Sequence, residues 1–201
     1  MVKVKIIRHS ERFDFSHPFY WLFCFGQYWA DTPLTTNGYI IANDKGKQIM
    51  KDNFNPKYIY TSPYNRTMST ATEIKNSFPE SQMLIEPLVS EYQPYRKHTV
   101  NLYPKGIPTS YDGKETSFTY PETYEKFLER VNFIITKLIE KNDHDFIIMT
   151  HGAVLKAFAV YLQHKFPDLI LDPKDAPYLS VLSFDYDSES KQIIENTVNF
   201  S

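Results

Sequence analysis

Residues 121–162 constrain the fold more than any other stretch of the chain. Tyr124, Phe127, Leu128, Val131, Ile134, Ile135, Leu138 and Ile139 recur at three- and four-residue steps, the stripe of a helix that must face a core, and Pro121 is suited to open it. After a polar break, Phe146-Ile147-Ile148-Met149 runs apolar without interruption through 145–150. From Gly152 the spacing turns helical again through Leu155, Phe158 and Leu162. A strand apolar on both sides has to be covered on both faces. Helix, buried strand and helix in succession therefore predict an α/β chain, a three-layer α/β/α sandwich around a mostly parallel central sheet.

The remaining segments fit that plan. Val2, Val4 and Ile6-Ile7 form a β-branched run that stops at a polar cluster, so Arg8 and His9 fall at the C-terminal end of a strand. Thr35 and Thr36 precede Ile40, Ile41, Ile49 and Met50, a helix with a threonine cap and Gly46 as its weak point. Tyr58-Ile59-Tyr60 reads as a strand, and Ser62-Pro63 as a cap followed by proline at the first position of a helix over about 63–76. Two more strands are expected near 178–184 and 192–198. Residues 13–29 are rich in aromatic rings, lack periodicity and are punctuated by Pro18 and Gly26, which reads as an ordered loop. Residues 94–120 carry several prolines, Gly106 and Gly113, and no period. A long excursion of this kind is a candidate lid or substrate-selecting wall, and 13–30 and 94–120 are the expected active-site loops.

Composition narrows the function classes. A length of 201 residues with 42% hydrophobic content suits one core, so a single domain over 1–201 is expected. With 22 basic against 24 acidic residues and a formal net charge of -2, the chain lacks the positive excess that nucleic-acid binding requires. No run approaches the roughly 20 apolar residues that span a bilayer, so no membrane partner is expected. Cys24 is the one cysteine, which excludes an internal disulfide and a thiolate metal cluster and suits a reducing, cytoplasmic setting.

Three strand ends carry reactive or anion-binding side chains: Arg8-His9, the stretch from Ser62 to Arg66, and His151-Gly152. In an open parallel sheet the carboxyl ends of strands line one crevice, which would gather these groups. Guanidinium groups offer paired planar donors that match phosphate oxygens, so Arg8 and Arg66 define an anion pocket. A histidine attacks phosphorus only through a neutral nitrogen, so the other nitrogen of His9 should donate to a backbone carbonyl that fixes the tautomer. Singly, each residue has a plainer reading: Arg8-His9 as a solvated strand end, Arg66 paired with Glu73 on a helix surface, His151 as a satisfied junction residue.

Taken in order, the motifs resemble the histidine phosphatase superfamily, which includes the cofactor-dependent phosphoglycerate mutases. Arg8-His9-Ser10-Glu11 is similar to the Arg-His-Gly-Glu signature. Asp31-Thr32-Pro33-Leu34-Thr35 with Gly38 resembles the Pro-Leu-Thr-x-x-Gly segment. Ser62-Pro63 through Arg66, Thr70 and Ala71 is similar to the second arginine motif, and Thr150-His151-Gly152 to the late histidine. Arg12, Ile85-Glu86-Pro87, Ser90-Glu91-Tyr92 and Ala176-Pro177-Tyr178-Leu179 resemble one branch, the phosphatase domain of the suppressor-of-T-cell-receptor-signalling proteins.

That resemblance implies a phosphoglycerate mutase-like fold and a metal-independent phosphomonoesterase without cofactor. His9 takes the phosphoryl group, water hydrolyses the phosphohistidine, and Glu91 serves as general acid and then base. Arg8, Arg66 and His151, the last protonated or donating, surround the equatorial oxygens, with Arg12 as a fourth contact. The partner is a phosphorylated small molecule, phosphotyrosine-like or otherwise, or a phosphoprotein. Relatives in that branch form dimers, so a homodimer is a further expectation. Mutases of the family follow the signature with Ser-x-x-Asn, whereas this chain has Arg12-Phe13-Asp14-Phe15. Ser10 departs from the family's glycine. The departure is compatible with slowed turnover, shifted substrate choice, no effect at all or a hydroxyl that donates to phosphate, and a low-activity phosphate-binding scaffold is the reading it keeps alive. Glu86 is the alternative to Glu91. Arg12 has Glu11, Asp14 and Asp31 as alternative partners. Trp21, Tyr28 and Trp29 read either as a wall for a phosphorylated ring or as packing, and His17, His98, His144 and His164 as surface or packing residues without metal-site spacing.

Overall fold

Strand alternation decides how the layers form. In the computed structural model, which describes residues 1–23, 31–95, 106–110, 118–172 and 176–201, β1 (Val2–Arg8) sends Val2, Val4 and Ile6 into one buried cluster and Ile7 into another. β2 (Tyr58–Thr61) divides Tyr60 from Ile59 in the same way, and β4 (Phe146–Thr150) divides Phe146 and Ile148 from Ile147 and Met149. The clusters are the two faces of one sheet. α5 (Tyr124–Lys141) and α6 (Gly152–Lys165) cover the first, and α3 (Thr36–Lys51) and α4 (Asn65–Lys75) the second. Each buried Ile or Phe in these clusters contributes about 1.5–3 kcal/mol, which is what holds the three layers together.

The sheet has six strands in the order β3-β2-β4-β1-β5-β6, completed by β3 (Gln82–Ile85), β5 (Val181–Asp187) and β6 (Gln192–Phe200). β3, β2, β4 and β1 run parallel, whereas β1 with β5 and β5 with β6 are antiparallel. The sheet is thus mixed. The link from Asp187 to Gln192 is far shorter than the crossover a parallel pair needs, so the last two strands close as a hairpin. The parallel half carries the sequence-predicted site residues Arg8, Arg66 and His151 at or just past its strand ends.

Several elements differ from the sequence expectations. Within the expected loop, Phe13–Ser16 and Pro18–Phe23 are short helices, α1 and α2, and 24–30 lie outside the described residues. β3 was not expected, because four residues at a sheet edge give too little alternation to read. α4 starts at Asn65, not Pro63: Tyr64 is still extended at φ -68°, ψ 140°. Ser62 is no cap; the Asp31 carboxylate accepts from Asn65 N–H instead, at 2.9 and 3.1 Å. α5 begins after Thr123, whose hydroxyl accepts from Lys126 N–H, so Pro121 precedes it rather than opening it. Gly46 is a contact, not a weak point, since a Cβ there would lie 3.0 Å from Ile74 O and 3.1 Å from Ile74 Cα. In the 94–120 excursion, 96–105 and 111–117 are outside the described residues, so the lid expectation falls mostly there; Thr109 pairs with Ile85 as a parallel bridge. No helix among the described residues is long and apolar enough to cross a membrane.

Candidate active site

β4 lies between β2 and β1, and its last residues are bonded from both sides. His9 N–H donates to Thr150 O at 2.9 Å, and Ser62 N–H to Met149 O at 3.1 Å. These two bonds extend the parallel ladders past the strand ends and bring His9, Ser62 and His151 to one sheet edge. The chain leaves β1 toward α3 on one face and leaves β4 toward α6 on the other. Opposite exits open a crevice at the carboxyl ends of adjacent parallel strands, the usual ligand position in such sheets.

His9 is buried, and its Nδ1 lies 2.8 Å from Ser10 O. A carbonyl only accepts, so the ring proton sits on Nδ1 and Nε2 keeps its lone pair. Burial, followed by the positive charge of Arg66, holds the His9 pKa well below its ordinary value, with Arg8 and Arg12 acting the same way and the Ser10 carbonyl opposing. The ring is neutral, with the Nε2 lone pair free of that bond. It meets His151 edge to face at a centroid distance of 5.5 Å and Tyr178 at 5.9 Å.

Arg66 is also buried, and its guanidinium donates to His151 Nδ1 at 3.2 Å. A guanidinium only donates, so His151 carries its proton on Nε2, 2.9 Å from Ser62 Oγ. In the free site His151 is therefore neutral and donates through Nε2, the second of the two expected states. Burial first, then Arg66, keeps its pKa well below the usual value. Arg66 further lies 3.9 Å from Glu91 and 4.0 Å from Asp31, with its Cζ 4.4 Å from the Tyr64 ring centre. Arg8 donates to Ala176 O and stacks on Tyr178 at 4.7 Å. A Cβ on Gly152 would come within 3.3 Å of Arg8 Nε, so glycine at the start of α6 lets the guanidinium lie against the helix N-terminus. Nε of both Arg8 and Arg66 is buried without a hydrogen-bond partner among the described residues. Two buried cationic donors with unmet capacity suit an anion.

The two glutamates separate by environment. Glu86 is buried, accepts from Leu88 N–H at 2.9 Å and from Ser110 Oγ, and so caps a 3-10 turn at Pro87–Val89; burial pushes its pKa up. Glu91 instead faces the histidines, with Oε2 3.5 Å from His151 Nδ1 and its side chain 26% exposed. Arg12 makes a two-pronged pair with Asp14, through Nε at 2.7 Å and through Nη2, and its Cζ lies 4.4 Å from the exposed Phe15 ring. Its charge still reaches the pocket, lowering the pKa of His9, His151 and Arg66. Ser10 is buried, and its hydroxyl donates to Gly38 O at 2.7 Å, away from the arginines.

The stretch 22–198 matches the family model described as histidine phosphatase superfamily, branch 1. The chain belongs to this superfamily. An uncharacterized phosphoglycerate mutase family protein of Acanthamoeba polyphaga mimivirus is 62% identical over 199 residues, covering 99% of this chain and 98% of that protein. The ecdysteroid-phosphate phosphatase of Drosophila melanogaster is 22% identical over 76% of this chain and 26% of its own length. Among solved structures, the ecdysone phosphate phosphatase of Bombix mori in complex with tungstate superposes with a TM-score of 0.70 at 17% identity, covering 100% of this chain and 95% of that one. The chain thus shares the phosphatase- and mutase-like fold of the superfamily. The His9 motif precedes the matched stretch.

Sequence reasoning gave no site role to four residues that the structure brings against this pocket. Tyr64 meets His151 edge to face at 5.0 Å, accepts from Gln93 Nε2 at 2.9 Å, and has its pKa pushed up to about 12 by burial. Tyr178 stacks on Arg8, Ser62 faces His151, and Thr70 Oγ1 accepts from Ser10 N–H at 3.0 Å while donating to Arg66 O at 2.7 Å. Tyr64 and Ser62 lie inside the second arginine motif, which was a signal. Tyr178 and Thr70 lie within motifs but carry nothing that foretells a partner. Tyr28, Trp29 and His98 lie outside the described residues, and Trp21 sits half-buried on α2. His17 stacks on Phe13 and His144 lies beside Asp143. Among the described residues no cluster of three or more His, Cys, Asp or Glu is placed to hold a metal.

Proposed function

We propose that this chain is a metal-independent phosphomonoesterase that works through a phosphohistidine on His9. The observation that carries the reading is the fixed tautomer of His9: its proton is committed to Ser10 O, its ring is neutral, and the charges of buried Arg66 and half-buried Arg8 act on it. His9 Nε2 attacks phosphorus, the P–O bond to the alcohol breaks, and Glu91 protonates the leaving oxygen. Water then attacks the phosphohistidine while Glu91 takes its proton, which restores His9 and releases phosphate. Arg8 and Arg66 hold the equatorial oxygens. On phosphate binding Arg66 turns from His151 to the anion, and the freed Nδ1, beside Glu91, becomes able to take a proton and donate as well.

Within the superfamily we side with the phosphatase domain of the suppressor-of-T-cell-receptor-signalling proteins. Support comes from the segment that carries that likeness, since Ala176 and Tyr178 both touch Arg8. The ester's alcohol is phosphotyrosine-like or another small organic group. Phe15, Tyr64 and Tyr178 around the arginines suit an aromatic or apolar alcohol, as do the names of the two insect phosphatases.

The test is release of p-nitrophenol from p-nitrophenyl phosphate with a chelator present, in the wild type and in His9→Ala. Chelator-resistant activity that is lost in the variant, with a trapped phosphohistidine in the wild type, is the expected outcome. Wild-type turnover that requires a bisphosphorylated sugar acid would make the protein a mutase. Tungstate binding without turnover would make it a scaffold.

A further inference from the structure

Glu91 itself is weakly held. Its carboxylate reaches Tyr92 N–H at 3.3 Å and lies 3.5 Å from His151 and 3.9 Å from Arg66. Such contacts do not fix a proton donor, so its position follows from the backbone that carries it. That backbone is clamped on both sides. Ahead of Glu91, Arg130 Nη1 donates to Leu88 O and, at 3.1 Å, to Ser90 O, while Thr150 Oγ1 donates to Val89 O. Behind it, Gln93 N–H donates to Glu122 Oε1 at 3.3 Å, and Glu122 N–H donates back to Gln93 O at 3.0 Å. Arg130 and Glu122 are one fully buried unit, Nε to Oε2 at 2.9 Å and Nη2 to Oε1 at 2.6 Å. Gln93 also reaches across the pocket to the Tyr64 hydroxyl.

We propose that the Arg130–Glu122 pair is the positioning unit for the Glu91 carboxylate, aiming it at the leaving oxygen. A hydrophobic pair of like volume would fill this space without desolvating two charges. What arginine and glutamate add is a rigid fork whose remaining arm grips two carbonyls, and a carboxylate that grips the N–H beyond. Arg130 makes its hydrogen bonds to Glu122, Leu88 and Ser90 and not to Arg8, Arg66 or His151, and it reaches His151 only through its charge, which Arg130→Lys retains. Its effect should therefore fall on proton transfer and leave anion binding alone. This inference rests on Glu91 being the general acid.

Arg130→Lys and Glu122→Gln test it, each measured on p-nitrophenyl phosphate, whose leaving group departs without a proton, and on phenyl phosphate, whose leaving group needs one. We expect kcat/KM for phenyl phosphate to fall about tenfold further than for p-nitrophenyl phosphate, within the range general acid catalysis supplies. Inhibition by tungstate should stay at the wild-type constant, and the excess penalty should vanish when either change is combined with Glu91→Gln. Equal slowing of both substrates, or penalties that multiply in the Glu91→Gln background, overturns the positioning role. If Glu91→Gln alone shows no leaving-group preference, the assignment of Glu91 fails first and the clamp's role goes with it. Melting curves accompany each variant. Should Arg130→Lys not fold, the isosteric Glu122→Gln carries the same comparison, and loss of the fold in both would make the pair a folding element only.

Discussion

Ser10 stands where the family's signature has glycine, and its surroundings explain why serine is accommodated. Its φ is not positive, so the backbone makes no demand that only glycine can meet. The hydroxyl donates to Gly38 O and the N–H to Thr70 Oγ1, which ties the loop after His9 to α3 and α4. Restoring the family residue should therefore cost stability without improving chemistry. Ser10→Gly is predicted to lose about 1–2 kcal/mol, from one buried hydrogen bond and the added freedom of the unfolded chain. Urea unfolding and p-nitrophenyl phosphate turnover check this, and a severalfold gain in turnover would mean that the side chain obstructs the site. Arg8, His9, Arg66 and His151 could be read from the sequence because each sits in a contiguous motif at a strand end. Ser62, Tyr64, Asp31 and Arg130 could not be given their roles, since each acts on a residue brought near only by folding. The different surroundings of Glu86, turned inward as the cap of a 3-10 turn, and of Glu91, beside His151, likewise appear only in the folded chain.

At the scale of elements, Gly46 shows two effects in competition. It lies in the third turn of a 16-residue helix, where alanine gains close to 1 kcal/mol in helix propensity. Its position against α4 opposes that gain: a Cβ would sit 2.9 Å from Ser77 Oγ, which can rotate away, and 3.0 and 3.1 Å from Ile74 backbone atoms, which cannot. Overpacking against backbone costs typically about 1–3 kcal/mol. Gly46→Ala is thus predicted to lower the melting temperature despite better propensity, and Arg66, carried by α4, should lose some tungstate affinity in step. A raised melting temperature would show that α3 and α4 have slack between them. Helix α5, β4 and α6 were legible because their apolar stripes are long and their neighbours cover them. Shorter pieces were not. β3 has four residues, α1 has four and α2 six, too few to show a period, and α4 was placed two residues early because Ser62-Pro63 mimics a capped start that Asp31 in fact provides from another part of the chain.

For the whole molecule, the sequence pattern foretold two covered faces and a mostly parallel sheet but not which strands run antiparallel, because strand direction at β5 and β6 depends on connection length and pairing rather than on side-chain pattern. The fold gathers three guanidinium groups around two buried imidazoles, and that arrangement has a consequence for stability. Both His9 and His151 are held well below their ordinary pKa of 6.5, by burial first and by Arg66 next. As pH falls below 6.5 the unfolded chain takes protons on both rings while the folded chain does not, so the unfolded state binds more and stability declines. The loss runs from about pH 6.5 down to the folded values. Glu86 and Asp31 act in the opposite sense: burial raises both, so their contribution is greatest in acid and is lost as pH rises through the folded value. The histidine effect sets in as pH falls through the ordinary value of 6.5, so it should show in the interval between about pH 7 and pH 5.5, with the raised carboxyls opposing it. The predicted outcome is a melting temperature that drops across that interval, and a His9→Gln, His151→Gln double variant whose curve is nearly flat there. A double variant that keeps the wild-type slope would place the acid sensitivity in other groups and remove the argument that the arginine field holds both rings neutral.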